Sequence, residues 1–263
     1  MFSSSFFFDQ EFSFAYLFVV VRDSEKWTEL EELFKLSGGD ASHIVEAFDI
    51  EDPRRLEAFS SHRKDLEAKH LSSPSIFLNA DFNTASDPEV RVKYRRLLTK
   101  KLNAYAGSRK EGMTPILPMV HGTTEGIAWK IAQSGFGTAG TRDAGYYGAG
   151  IYFTSRVSYA TSYSSAESQV AVVVIALVNP GNFYPTTESP KDPEKGFMGK
   201  KCKGGYQSHY TVVGDGKYPS DIVTDTSHDE LVVFQDAQAL PKYIVRLGAE
   251  KLREEEGGPP RAS

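Results

Sequence analysis

Apolar residues at Trp27, Leu30, Leu33 and Phe34 recur at helical spacing and predict a helix over Glu25–Leu36, stopped by Ser37-Gly38-Gly39-Asp40. Loose alternation over 44–50 predicts a strand, ended by Asp52-Pro53. Residues 54–70 read as a charged amphipathic helix with Leu56, Phe59 and Leu66 on or near one face. A Ser/Pro/Asn-rich loop is expected over 72–87, then a second charged helix over 89–104.

The pattern then changes. A short apolar strand over 115–120 leads into His121-Gly122-Thr123, and a helix over 124–134 closes at Gly135. Glycines crowd 135–150; the strand Ile151-Tyr152-Phe153 and a helix over 157–164 follow. The unbroken apolar run Val170–Val178 reads as a central strand buried on both faces. Further strands are expected over 231–234 and 243–247. Helices early and strands late suggest an α+β domain whose mainly antiparallel sheets hold a cleft.

The two ends read differently. Residues 12–21 are too short an apolar stretch to cross a bilayer, Asp9 and Glu11 break the run before them, and alternation makes the segment a strand. Residues 1–21 are thus read as an N-terminal strand segment and 22–247 as one domain. The charged, Gly/Pro-rich 248–263 is read as a flexible tail. A chain of 263 residues suffices for a buried core.

Charge and cysteine content narrow the function. The net charge of −5 gives no global field to attract nucleic acid. The run Arg91, Lys93, Arg95, Arg96, Lys100 and Lys101 reads as a solvated helix face, with a nucleic-acid surface as the alternative. One cysteine, Cys202, excludes an intrachain disulfide and a cysteine-based zinc site, and is compatible with a reducing, intracellular compartment.

Three segments carry candidate chemistry. His121-Gly122-Thr123 sits where a strand meets a helix, and a glycine there lets backbone amide and carbonyl groups approach a ligand. A primary carboxamide needs one donor and one acceptor, which a single glycine backbone supplies. The stretch 145–154, GYYGAGIYFT, mixes glycines that thin a cleft wall with tyrosines that offer flat faces; Tyr163, eleven residues after Tyr152, could close a ring sandwich. Glu230 opens an apolar strand, and is aimed either at solvent or into a cleft.

In this order and spacing the segments resemble the catalytic domain of the poly(ADP-ribose) polymerase family, diphtheria-toxin-like ADP-ribosyltransferases with a His–Tyr–Glu signature. The resemblance lies in HGT (121–123), GYYGAGIYF (145–153), SYATSY (158–163), ALVNPGNFY (176–184), GYQSHY (205–210) and DELVVFQDAQALPKYIV (229–245). Upstream, VEAFDIEDPRRL (45–56) is similar, with Asp52 where Asn is usual. It spans roughly 45–247.

The resemblance implies an α+β ADP-ribosyltransferase fold with an NAD-binding cleft. It implies transfer of ADP-ribose from NAD⁺, as single units or chains, to an acceptor. NAD⁺ would be a consumed co-substrate, no metal is required, and no membrane is involved. The acceptor expected is protein, the chain itself included, with a nucleic-acid acceptor left open. A glycohydrolase using water and a non-catalytic nucleotide-binding module are the alternatives.

His121, Tyr152 and Glu230 are the implied catalytic residues: His121 on the adenosine ribose, Tyr152 with Tyr163 stacking on nicotinamide, Glu230 on the nicotinamide ribose. Gly122, Thr123, Tyr146, Gly150, Thr161, Tyr163 and Arg142 are the implied cofactor-binding residues. The family often has Ser where this chain has Ala160, so either Thr161 or Ser162 substitutes or one hydrogen bond is lost. A basic residue usual after the first helix falls near Gly137, so Arg142 is expected on the adenosine or pyrophosphate side. The 137–144 donor-site loop is short, and 69–115 reads as an insertion. The acceptor-site loop is expected within 186–229, where Lys191, Lys195, Lys200, Lys201, Lys203 and Lys217 either meet acidic acceptors or a growing anionic chain or simply belong to a solvated loop.

Overall fold

Strand β6 (Val170–Val178) shows how the fold is layered. Val172, Val174, Ala176 and Val178 point into one core, and Ala171, Val173 and Ile175 into another. Successive strand residues face opposite sides, so an unbroken apolar run is what a strand covered on both faces requires. The computed structural model describes residues 15–74, 86–137, 142–143, 145–164, 170–214 and 218–248. The expected tail lies outside these residues except for Gly248, as do much of the 72–87 loop and of the 137–144 loop.

β6 lies between β10 (Ala239–Gly248) and β3 (Leu117–Thr123). With β2 (Ile44–Glu51) and β1 (Tyr16–Val19) they form an antiparallel sheet ordered β1-β2-β10-β6-β3. Of the strand expected at 12–21, residues 16–19 pair with β2 at the sheet edge; 12–14 lie outside the described residues. A second sheet has the order β4-β5-β9-β8-β7: β4 (Arg142–Asp143), β5 (Gly150–Phe153), β9 (His228–Val233), β8 (Ser208–Val213) and β7 (Phe183–Pro185). All its pairs are antiparallel except β7 with β8.

Helix α1 (Glu25–Leu36) covers the outer face of the first sheet with Trp27, Leu30, Leu33 and Phe34. Its Ser24 cap accepts from the Trp27 amide. Helix α2 (Pro53–Ser72) starts at Asp52, whose carboxylate accepts from the Arg54 and Arg55 amides, a capping task that Asp performs as well as Asn. Its buried face is Phe59, Arg63 and Leu66; Leu56, expected on that face, is 52% exposed.

Helix α3 (Pro88–Ala104) corrects one expectation. Its Tyr94, Leu97, Leu98 and Leu102 enter the core between the sheets. Its basic run is not wholly solvated. Arg91 is buried, donating to the Pro185 and Ser86 carbonyls and pairing with Glu188 at 2.8 Å, and Lys101 reaches into the second sheet. A buried cation needs an anionic or carbonyl partner, and here all of those partners but Ser86 lie far along the chain. Arg95, Arg96, Thr99, Lys100 and Asn103 line a groove of about 450 Å³ on the outer side.

Helix α4 (Glu125–Ser134) packs Ala128, Ile131 and Ala132 into the same core and stops at Gly135, whose φ of 81° suits a residue without Cβ. Helix α5 spans only Val157–Thr161, shorter than the expected 157–164, and continues as turns through Ser164.

Candidate functional site

The first sheet is bridged to the second where β3 passes the end of β5. Val120 on β3 and Thr154 after β5 exchange both backbone bonds, at 2.8 and 2.9 Å. This fixes which way the neighbouring groups point. In an antiparallel edge strand, residues two apart present amide and carbonyl to the same side. The backbone groups of Gly122 therefore point off the outer edge of β3, as those of Val120 do, away from β6.

Gly122 is glycine for a packing reason as well. A Cβ there would lie 1.8 Å from the carbonyl oxygen of Ala160. α5 thus sits directly on β3. Near the position where the family often has Ser, Thr161 donates to the Ser158 carbonyl and Ser162 to that of Tyr159. Gly150 also has a packing role, since a Cβ would come within 2.5 Å of the Val233 carbonyl.

His121 lies on the core side of β3 between the rings of Phe136 and Phe153, with centroids 5.4 and 5.8 Å away. Its Nδ1 is 2.8 Å from the Tyr152 carbonyl oxygen. A carbonyl only accepts, so Nδ1 carries the proton and Nε2 is left as the acceptor. Burial pushes the imidazole pKa below its usual value, against the raising effect of that bond. Thr123 beside it is buried.

Tyr152 sits on the opposite face of β5, where the Tyr147 amide donates to its hydroxyl, which donates to the Gly148 carbonyl. The phenol thus pins the glycine–tyrosine turn that precedes its own strand. Tyr146, in that turn, is 40% exposed and lies nearly parallel to Tyr218, centroids 6.4 Å apart. The Lys191 ammonium stands 5.0 Å over the Tyr218 ring. Arg142 pairs with Ile151 across β4 and β5; its side chain is outside what is described.

Glu230 resolves the choice the sequence left open: its side chain is buried, 7% exposed, not out in solvent. Its Oε1 accepts from the Tyr159 hydroxyl at 2.6 Å and from the Tyr163 hydroxyl at 3.3 Å. Tyr163 is 44% exposed, so the carboxylate lies beneath a ring that reaches solvent. Tyr152 pairs with Val232, two residues from Glu230, so Tyr152, Val232 and Glu230 share one face of the second sheet.

Asp229 faces the other way. Fully buried, it accepts from the Ser155 amide (2.7 Å), Ser155 Oγ (2.8 Å), the Tyr210 hydroxyl (2.9 Å), Thr154 Oγ1 (3.1 Å) and Lys101 (3.1 Å). Burial opposes its ionisation, but the Lys101 charge and these donors outweigh burial and hold the carboxyl below its ordinary pKa.

Tyr159, Asp229, Lys101 and Ser155 were missed as site-related residues by the sequence reading. The SYATSY segment held two tyrosines four apart, which a helical turn brings to one side, and this was the available signal for Tyr159.

A family model described as the poly(ADP-ribose) polymerase catalytic domain matches residues 24–249. The chain belongs to that family. It is a family of ADP-ribosyltransferases that use NAD⁺ as substrate, and the mixed helix and antiparallel-sheet architecture agrees with its fold. A search of curated proteins finds no match. Among the described residues no helix is long and apolar enough to cross a membrane, and no three His, Cys, Asp or Glu side chains cluster as a metal site.

Proposed function

We propose that this family member cleaves the nicotinamide–ribose bond of NAD⁺ and transfers ADP-ribose, singly or as chains, to an acceptor. The observation that carries the reading is the Glu230 carboxylate, buried under two tyrosines and held by their hydroxyls. It sits in a chain whose Gly122 turns its backbone amide and carbonyl off a sheet edge.

In this reading the Gly122 backbone grips the nicotinamide carboxamide, and Tyr163 with Tyr152 flanks the ring. His121 accepts from an adenosine-ribose hydroxyl through Nε2. Thr123, Tyr146, Gly150, Thr161 and Arg142 shape the rest of the NAD⁺ site. Glu230 accepts from a hydroxyl of the nicotinamide ribose. The glycosidic bond breaks with its electron pair going to the pyridinium nitrogen, leaving neutral nicotinamide and an oxocarbenium-like sugar. The carboxylate stabilises that charge. The acceptor nucleophile attacks the anomeric carbon and gives its proton to Glu230 or solvent.

Protein is the proposed acceptor, the chain itself included, and Tyr146, Tyr218 and Lys191 offer it an exposed ring pair with a cation. We take 22–247 as the catalytic unit and place it inside the cell, in keeping with its single cysteine. Incubation with NAD⁺ labelled in the adenosine tests the reading. Label on protein together with free nicotinamide is expected. Free ADP-ribose alone makes it a glycohydrolase, and no nicotinamide release makes it a binding module. Glu230→Gln should retain NAD⁺ binding and lose most of the transfer; an unchanged rate removes Glu230 from the mechanism.

A further inference from the structure

We propose that Tyr159 is a positioning residue for Glu230: its hydroxyl, donated to Oε1 from a ring that cannot move, fixes the carboxylate in the orientation that chemistry needs. The inference rests on the role given to Glu230 above.

The ring is held on every side. It stacks on His228, with centroids 4.9 Å apart and planes 26° apart, and meets Tyr163 edge-on at 5.6 Å. Tyr147, Val213 and Val232 pack in the same cluster. Its helix is tied down as well: the Val157 amide donates to the Ser37 carbonyl and the Arg156 amide to Thr154 Oγ1. The backbone of the next residue, Ala160, rests on Gly122. One short helix therefore indexes the carboxylate of the second sheet against the exposed backbone edge of the first.

The direction of the bond is set by chemistry. A carboxylate only accepts, so the phenol donates, and at 2.6 Å the contact is in the range of a charge-assisted O–H···O⁻ bond. Tyr163 stands 3.1 Å behind, its one hydroxyl proton shared between the Tyr159 oxygen and Glu230 Oε1. Burial first, then the Glu230 charge, pushes the Tyr159 pKa far above its ordinary value, so the phenol keeps its proton as a donor. A free glutamate side chain samples several rotamers; this one is held by a donor that can neither swing away nor ionise. Asp229 cannot do the same task because it faces the opposite side of β9.

The test uses the full chain with Tyr159→Phe, which keeps the ring and removes only the hydroxyl. Nicotinamide release should show kcat reduced by about tenfold or more, with KM for NAD⁺ and the melting temperature nearly unchanged. In the Glu230→Gln background the same change should cause no further loss, because the two groups act as one unit. The carboxylate band in the wild-type-minus-Glu230→Gln infrared difference spectrum should shift when Tyr159→Phe is introduced, a readout independent of turnover. An unchanged kcat, or an equal fold loss in both backgrounds, overturns the proposal. Loss of activity in Tyr159→Phe with none in Glu230→Gln overturns the role of Glu230 instead.

Discussion

His121 Nδ1 lies 2.8 Å from the carbonyl oxygen of Tyr152, and that bond runs from the first sheet to the second. It sets the tautomer and leaves Nε2 as an acceptor. His121→Phe should keep the aromatic packing with Phe136 and Phe153 while losing both nitrogens. KM for NAD⁺ should rise about tenfold, equivalent to about 1.4 kcal/mol for one lost hydrogen bond. Initial rates of nicotinamide release measure it, and an unchanged KM would remove His121 from substrate binding.

Gly122→Ala has nowhere to put its methyl group. The obstacle is the Ala160 backbone, not a flexible side chain, so α5 or β3 must shift. Overpacking of this kind costs about 1–3 kcal/mol. Chemical denaturation should report a loss in that range, together with weakened binding of nicotinamide analogues. Full stability with intact binding would contradict the close contact.

Asp229→Ala leaves the Lys101 ammonium without its carboxylate in a buried setting. Stripping one partner from a buried pair costs about 3–5 kcal/mol. Lys101→Met should cost less, since three side-chain hydroxyls and the Ser155 amide still serve Asp229. Denaturation of the two single variants and the double variant should show strong coupling; additive losses would show that the pair acts independently.

Stability should fall as the solution is acidified from about pH 6.5 to 4, with His209 the main cause. The ring is fully buried; Nδ1 donates to the Tyr147 carbonyl and Nε2 accepts from the Lys203 amide, so the fold demands the neutral form. Burial lowers its pKa to about 4. Above the unfolded value of 6.5 the stability is fully present, and below it protons bind the unfolded chain first. At about 1.4 kcal/mol per unit the loss by pH 4 is about 3 kcal/mol. His62 and His121 shift in the same direction. Thermal melts across this window should show the slope, and His209→Gln should flatten it; an identical slope would show that other groups carry the effect.

Periodicity revealed the elements whose partners are local or whose burial is two-sided. Trp27, Leu30, Leu33 and Phe34 announced α1, and the run through Val173 announced the central strand. Buried polar residues hid the others. Ser208 and His209 interrupt the apolar pattern of β8, for which no strand was expected, yet each is satisfied by a carbonyl that only the folded chain brings near. Arg91 and Lys101 looked like surface charge because Glu188 and Asp229 are 97 and 128 residues away in sequence. In the candidate site, the motifs pointed to His121, Tyr152 and Glu230. Tyr159 stayed hidden because nothing in one sequence says which of two neighbouring tyrosines is turned toward an acid on another element.

Asp229 and Glu230 are neighbours with opposite surroundings, one at the centre of five donors and the other under two tyrosines. Side chains alternate along a strand, so a slip of β9 by a single residue would turn every one of its side chains to the other face. Shifted one way, it would set Asp229 under the tyrosines and His228 among the five donors; shifted the other way, it would set Glu230 among the donors and Leu231 under the tyrosines. Either way one place loses its carboxylate, and Leu231, Val232 and Val233 leave the clusters they pack in. The two adjacent acids thus tie the buried network and the Glu230 site to a single register of one strand.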